Sequence, residues 1–167
     1  MADRTVSISS AGKTFSVTGW KIGWVCAAEP LTTAVRTVKQ FLTYVNGAPF
    51  QPAVAQALDR ADDLVPPLLA RLRDGRDRLS AGLAEVGFEV FPTAGTYFVT
   101  ADVAPLGETD AADVCRRLPH EVGVVAIPAS AFYADPTTAP TLVRFAFCKR
   151  PEVLDEAVRR LRALARP

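Results

Sequence analysis

The change of hydrophobic period at Gly87 constrains this chain most. Before it, Val65, Leu68, Leu69, Leu72, Leu79, Leu83 and Val86 recur at helical spacing, and Gly87 suits a helix C-cap. After it, "FEVF" and "TYFVTADV" read as strands joined by a Pro-Thr-Ala-Gly turn. A helix over 109–118, the strand "GVVAI", a loop "PASAFYADPTTAP" and the strand "TLVRFAFC" (141–148) follow. The last helix starts at Pro151, with Val153, Leu154, Ala157, Val158, Leu161 and Leu164 on one face. Residues 88–167 therefore predict a small α/β lobe. Pro66 and Pro67 are expected to open the preceding helix, which is long enough to bridge two lobes.

The first fifty residues predict less than a domain. "TVSIS" (5–9) and the apolar run "IGWVCAA" (22–28) read as strands, the second a buried one. Gly12, Gly19 and Gly23 between them predict a structured loop and no helix. "PLTTAVRTVKQFLTYV" (30–45) has apolar residues at 31, 35, 38, 41, 42 and 45, a helical spacing, and "NGAPF" breaks it. Asn46 and Gly47 read as a turn, and "QPAVAQALDRA" as a short helix. Two strands and their loops do not make a stable sheet layer. The chain is thus expected to begin inside a domain, with 1–50 the end of it, 51–87 a helical connection and 88–167 the small lobe.

Composition removes several classes of function. Hydrophobic residues are 49%, charged residues 22% and net charge +1, which gives no electrostatic case for nucleic acid. In "RLRDGRDRL" (71–79), Asp74 and Asp77 interrupt the arginines, as on a solvated helix face. Cys26, Cys115 and Cys148 are widely spaced, and His120, placed in a loop after a helix, is the one histidine. That set predicts no disulfide framework and no metal site. No apolar run approaches the roughly 20 residues of a membrane span. No signal-peptide core is visible at the N-terminus, so a reducing, cytoplasmic setting is expected.

"SSAGKTFSVTGWKIGW" (9–24) carries the chemistry. "AGKT" suggests a P-loop, but that motif needs a glycine where Ser7 stands and a helix straight after the lysine. Lys13 as a plain surface lysine leaves its neighbours unexplained. Ser10 lies three residues before it and Lys21 eight after. A hydroxyl, an amine and a second cation are what a phosphorylated aldehyde needs.

The pattern S-x-x-K-x-x-x-x-x-G-x-[RK]-x-G, supplied by Ser10, Lys13, Gly19, Lys21 and Gly23, resembles the lysine motif of the class I/II aminotransferases of fold type I. "GTYF" (95–98), "GVVAIPASAFY" (123–133) and "VRFAFCKRPEVLDEAVRRL" (143–161) are similar to that family's small domain. "TGWKIGW" and "YVNGAPFQPAVA" resemble the branch of kynurenine, glutamine and methionine aminotransferases. The whole set looks most like the bacterial N-succinyldiaminopimelate aminotransferases of lysine biosynthesis. Most of the family has arginine where this chain has Lys21, so the bidentate fork is replaced by a point charge.

The resemblance implies the following roles. Lys13 is the lysine that condenses with pyridoxal phosphate, and Ser10 and Lys21 hold its phosphate. Arg144 binds the substrate α-carboxylate. From pattern alone, Arg144 reads rather as an edge-strand arginine facing solvent. Tyr44 either reaches across a homodimer interface toward the partner's substrate or is a packing residue. Tyr97, Phe98, Phe132 and Tyr133 read as core or pocket wall. Amino-acid and 2-oxo-acid substrates are implied, glutamate with 2-oxoglutarate among them. The acid for the pyridine nitrogen, the ring-stacking aromatic and the glycine-rich phosphate loop are expected upstream of residue 1. Asp3 is not assigned that acid's role. The chain is thus expected to be a C-terminal portion, part of a working enzyme or a folded but silent segment.

Overall fold

In the computed structural model, which describes residues 1–165, the chain divides into two units, Met1–Leu69 and Ala70 onward. In the first unit, β1 (Val6–Ser10) pairs antiparallel with β2 (Gly23–Ala27), in register from Val6 opposite Ala27 to Ser10 opposite Gly23. No residue of either strand is buried, which corrects the reading of β2 as a buried strand. The ribbon pairs only with itself, so its apolar run is not enclosed. Ala11–Thr14, expected as loop, forms one helical turn (α1). The reason is local: Ser10 Oγ accepts from the Gly12 amide at 3.1 Å, and the Phe15 amide donates to the Ala11 carbonyl at 3.0 Å.

α2 (Glu29–Leu42) and α3 (Phe50–Asp59) complete this unit. The apolar stripe of α2 has helical spacing, yet no residue of it is buried, and Phe41 is 82% exposed. The unit's core is small: Ala11, Ile22 and Val54, with Phe15, Val17, Trp20 and Trp24 packed against it. Trp20 also stacks on Phe50, with centroids 4.7 Å apart.

α4 spans Ala61–Val86, so Pro66 and Pro67 lie inside it and do not open it. The Arg60 carbonyl accepts from the amides of Asp63 and Leu64, each at 3.1 Å, and starts the helix ahead of the prolines. The prolines deprive the carbonyls of Asp62 and Asp63 of intrahelical donors, but both residues are exposed, so these carbonyls are open to solvent. The far end stops as expected. Gly87 has φ +110, its amide donates to the Ala84 carbonyl, and that of Phe88 reaches back to Leu83. This is a Schellman arrangement, sealed by the buried Leu83 and Phe88.

The second unit is an antiparallel sheet ordered β3 (Glu89–Val90), β4 (Phe98–Asp102), β6 (Leu142–Ala146), β5 (Ile127–Pro128). Of the strand expected over 123–127, only its last residue pairs, because Gly123 (φ +69) and the Val124 amide, bonded to the Leu118 carbonyl, belong to the end of the preceding helix. α5 (Ala111–Glu121) is capped by Asp110, whose carboxylate accepts from the amides of Ala112 and Asp113. It runs past Pro119, so His120 lies in its last turn and not in a loop. α6 is Pro151–Leu161.

Opposite residues in antiparallel strands share a face. Val99, Ala101, Val143 and Phe145 are buried on one face, in a common core with Leu79 and Leu83 of α4, Leu118 of α5 and Leu154, Val158 and Leu161 of α6. The other face carries Phe98, Thr100, Arg144 and Ala146.

Candidate functional site

The end of the β1–β2 ribbon gathers the lysine motif. The Ile22 carbonyl accepts from the Ala11 amide at 3.0 Å and from Ser10 Oγ at 3.4 Å, which ties the exit of β1 to the entrance of β2. Lys13, on α1, places Nζ 3.4 Å from Thr18 Oγ1. Thr18 in turn donates to the Gly12 carbonyl at 2.9 Å. A side chain at Gly12 would put Cβ 3.3 Å from both Ser10 Oγ and Thr18 Cα, so the small residue keeps this turn closed. Lys21 has left-handed backbone (φ 56, ψ 38), and its carbonyl accepts from Asn46 Nδ2 at 3.0 Å. Non-glycine residues held in that region concentrate at functional sites.

Ser10, Lys13 and Lys21 thus lie at the same end of one ribbon. Asn46 brings the 44–46 segment to the same place, and Gln51 Nε2 donates to its carbonyl at 2.9 Å. Tyr44, also left-handed (φ 55), is 77% exposed, which leaves its ring outside the unit's core. Sequence reasoning took Asn46 for a turn and overlooked Thr18. No motif marks either residue, since both act through contacts across the loop. The P-loop alternative finds no support, because the helix carrying Lys13 is a single turn.

The donor set fits a phosphorylated aldehyde. One connection carries two lysine side chains, with a serine hydroxyl at its start, and Ser10 keeps a usable proton. Its bond to the Ile22 carbonyl, at 3.4 Å, is at the weak limit for a hydroxyl donor.

Arg144 belongs to the second unit. It stands on β6, between β4 and β5, opposite Thr100 on one side and Ile127 on the other. The edge-strand alternative is therefore overturned. Its guanidinium carbon lies 3.9 Å from the Phe98 ring centroid and 4.0 Å from that of Phe132. Arg144 Nε is buried and has no hydrogen-bond partner. An orphaned buried donor is costly and points to a missing acceptor.

Several other charged groups of this unit are held in ion pairs. Arg117 bonds Asp113 and Glu108, each at 2.8 Å, and these bonds, that to Asp113 foremost, raise its pKa further. Arg76 and Arg78 pair with Asp77 and Asp155, as a solvated face predicts, and Arg76 also donates to the Thr93 carbonyl. Among the described residues, no group of three or more His, Cys, Asp or Glu could hold a metal ion. No described helix is long and apolar enough to cross a membrane.

Known proteins resemble the chain in sequence and fold. The family model for aminotransferase class I and II matches residues 1–161. A probable N-succinyldiaminopimelate aminotransferase of Mycobacterium tuberculosis is 55% identical over 99% of this chain and 44% of its own length. The methionine aminotransferase of Escherichia coli is 38% identical over 98% and 42%. The solved structure of the N-succinyldiaminopimelate aminotransferase from Mycobacterium tuberculosis superposes with a TM-score of 0.93, at 57% identity, over 99% of this chain and 43% of that one. This chain therefore spans less than half the length of these relatives. Matched along nearly all of its residues and in fold, the chain belongs to the class I and II aminotransferases, with the mixed helix and sheet of fold type I.

Proposed function

We propose that this chain carries the lysine-bearing portion of a pyridoxal-phosphate-dependent aminotransferase that acts on N-succinyldiaminopimelate and 2-oxoglutarate. The observation that carries the reading is that Ser10, Lys13 and Lys21 lie at the single connection between β1 and β2, closed where the Ile22 carbonyl accepts from Ser10 Oγ and the Ala11 amide. The substrate rests on the 55% identity to the mycobacterial protein. In this reading residues 1–50 end a large cofactor-binding domain, 51–87 connect, and 88–167 form the small domain. A cytoplasmic homodimer, with Tyr44 reaching the partner's substrate, belongs to the same proposal.

Bound pyridoxal phosphate supplies an aldehyde that condenses with amines and a ring that draws electrons from the adjacent carbon. Lys13 Nζ would hold the aldehyde carbon, with the Thr18 hydroxyl orienting the amine. Ser10 Oγ–H and the Lys21 ammonium would hold the phosphate, one by hydrogen bond and one by charge. Freed when an amino acid takes its place, Lys13 Nζ would be the base that takes the Cα proton and delivers it to the former aldehyde carbon. Arg144 would bind the α-carboxylate through Nε–H and a terminal N–H, which fixes the direction of the Cα–H bond.

Equilibrium dialysis of the chain against pyridoxal phosphate tests the reading. Ser10→Ala and Lys21→Ala should each weaken binding about tenfold, the scale of one charge-assisted hydrogen bond. Binding that neither variant weakens places the phosphate elsewhere. No binding at all would favour a folded but silent segment.

A further inference from the structure

Phe132 ends the 3-10 turn Ala129–Phe132 and is 59% exposed, so burial does not explain where its ring sits. One of its faces lies 4.0 Å from the Arg144 guanidinium carbon. Phe98 meets the same guanidinium at 3.9 Å. Phe98 stands opposite Ala146, two residues along from the Thr100–Arg144 pair, and so shares Arg144's face of the sheet. With two rings against it, the guanidinium can donate hydrogen bonds only through its N–H edge. Nε on that edge is buried and unpartnered.

We propose that Phe98 and Phe132 are positioning residues that clamp Arg144 between them and turn its Nε edge toward a ligand carboxylate. The proposal rests on the reading of Arg144 as the carboxylate site. The clamp acts in two ways. The rings attract the cation through their quadrupoles. They also remove the rotamer freedom that an arginine must otherwise give up when it binds. The carboxylate then meets a fork already in place and lies coplanar with it.

The test uses the whole chain with nitrogen-15-labelled arginine and 2-oxoglutarate as the probe. The Arg144 Nε–H signal, assigned by its loss in Arg144→Lys, is followed during titration. It should respond to 2-oxoglutarate in the wild type. Phe132→Tyr, which keeps the ring, should leave the affinity within about twofold, whereas Phe132→Leu should weaken it about fivefold. Without ligand, the signal should shift in Phe132→Leu and hold its position in Phe132→Tyr, since one ring current is lost only in the former. Phe98→Leu serves as a second variant, with its unfolding midpoint checked alongside. If Arg144 responds but the leucine variants bind like the wild type, the clamp is wrong and the carboxylate site stands. If the wild-type Arg144 signal ignores 2-oxoglutarate, the carboxylate reading fails and the clamp fails with it.

Discussion

Ser10 has two parts to play with one hydroxyl. It caps α1 by accepting from the Gly12 amide, and its proton is only weakly engaged by the Ile22 carbonyl. Ser10→Ala should therefore speed hydrogen exchange of the Gly12 amide about fivefold, the scale of about 1 kcal/mol for a lost cap. Ser10→Thr should restore the slower rate. Exchange unchanged in the alanine variant would mean that the cap does not hold the turn. Arg144→Lys should abolish carboxylate binding even though the charge survives, because a lysine has neither Nε nor a planar fork. The spacing of Ser10, Lys13 and Lys21 was legible because all three sit within one loop. Asn46 was not, since its partner Lys21 lies 25 residues away. Nor was the pairing of Phe98 and Phe132 with Arg144, which a strand register and a 3-10 turn bring about.

At the scale of elements, α4 shows where propensity yields to packing. Gly75 lies in its interior, and alanine there would gain about 1 kcal/mol of helix propensity. A Cβ at Gly75, however, would stand 2.7 Å from the Phe147 backbone carbonyl and 3.3 Å from Leu154. Gly75→Ala should therefore lower stability by about 1–3 kcal/mol, read from the denaturant midpoint. A stabilised variant would show that α4 can move away from Phe147. Helix stripes and the Gly87 stop were legible from periodicity. The start of α4 was not, because prolines within a second turn look like a first one.

α6 carries a pH-dependent contact. Hydrogen bonds from Arg159, then Arg160, hold the Glu156 carboxyl at about 2, below its ordinary 4.5. A folded-state value below the unfolded one means that this pairing stabilises the fold fully above about 4.5. The contribution fades as pH falls toward 2. Glu156→Gln should flatten that part of the acid-unfolding curve. Salt should have a similar, weaker effect, since the pair is exposed. An acid limb identical in both proteins would remove the contact from the account.

At the scale of the molecule, the two units differ in what holds them. The second has a core cluster of nineteen buried residues among those described, and the first has three. Hydrogen exchange should accordingly find slow amides in β4, β6, α5 and α6, and fast ones in β1, β2 and α2. Equal protection throughout would contradict that division. The sequence made the α/β character of residues 88–167 plain, because strand and helix periods alternate there. It misjudged β2 as buried, since an apolar run does not reveal whether anything lies against it.

The central claim is that Lys13 is the reactive amine. Its most direct test is to incubate the chain with substoichiometric pyridoxal phosphate, reduce with borohydride and map the modified lysine by peptide mass. Modification confined to Lys13, and lost without transfer to another site in Lys13→Ala, is the predicted result. Labelling spread over Lys21, Lys39 and Lys149, or unaffected by that substitution, would contradict it.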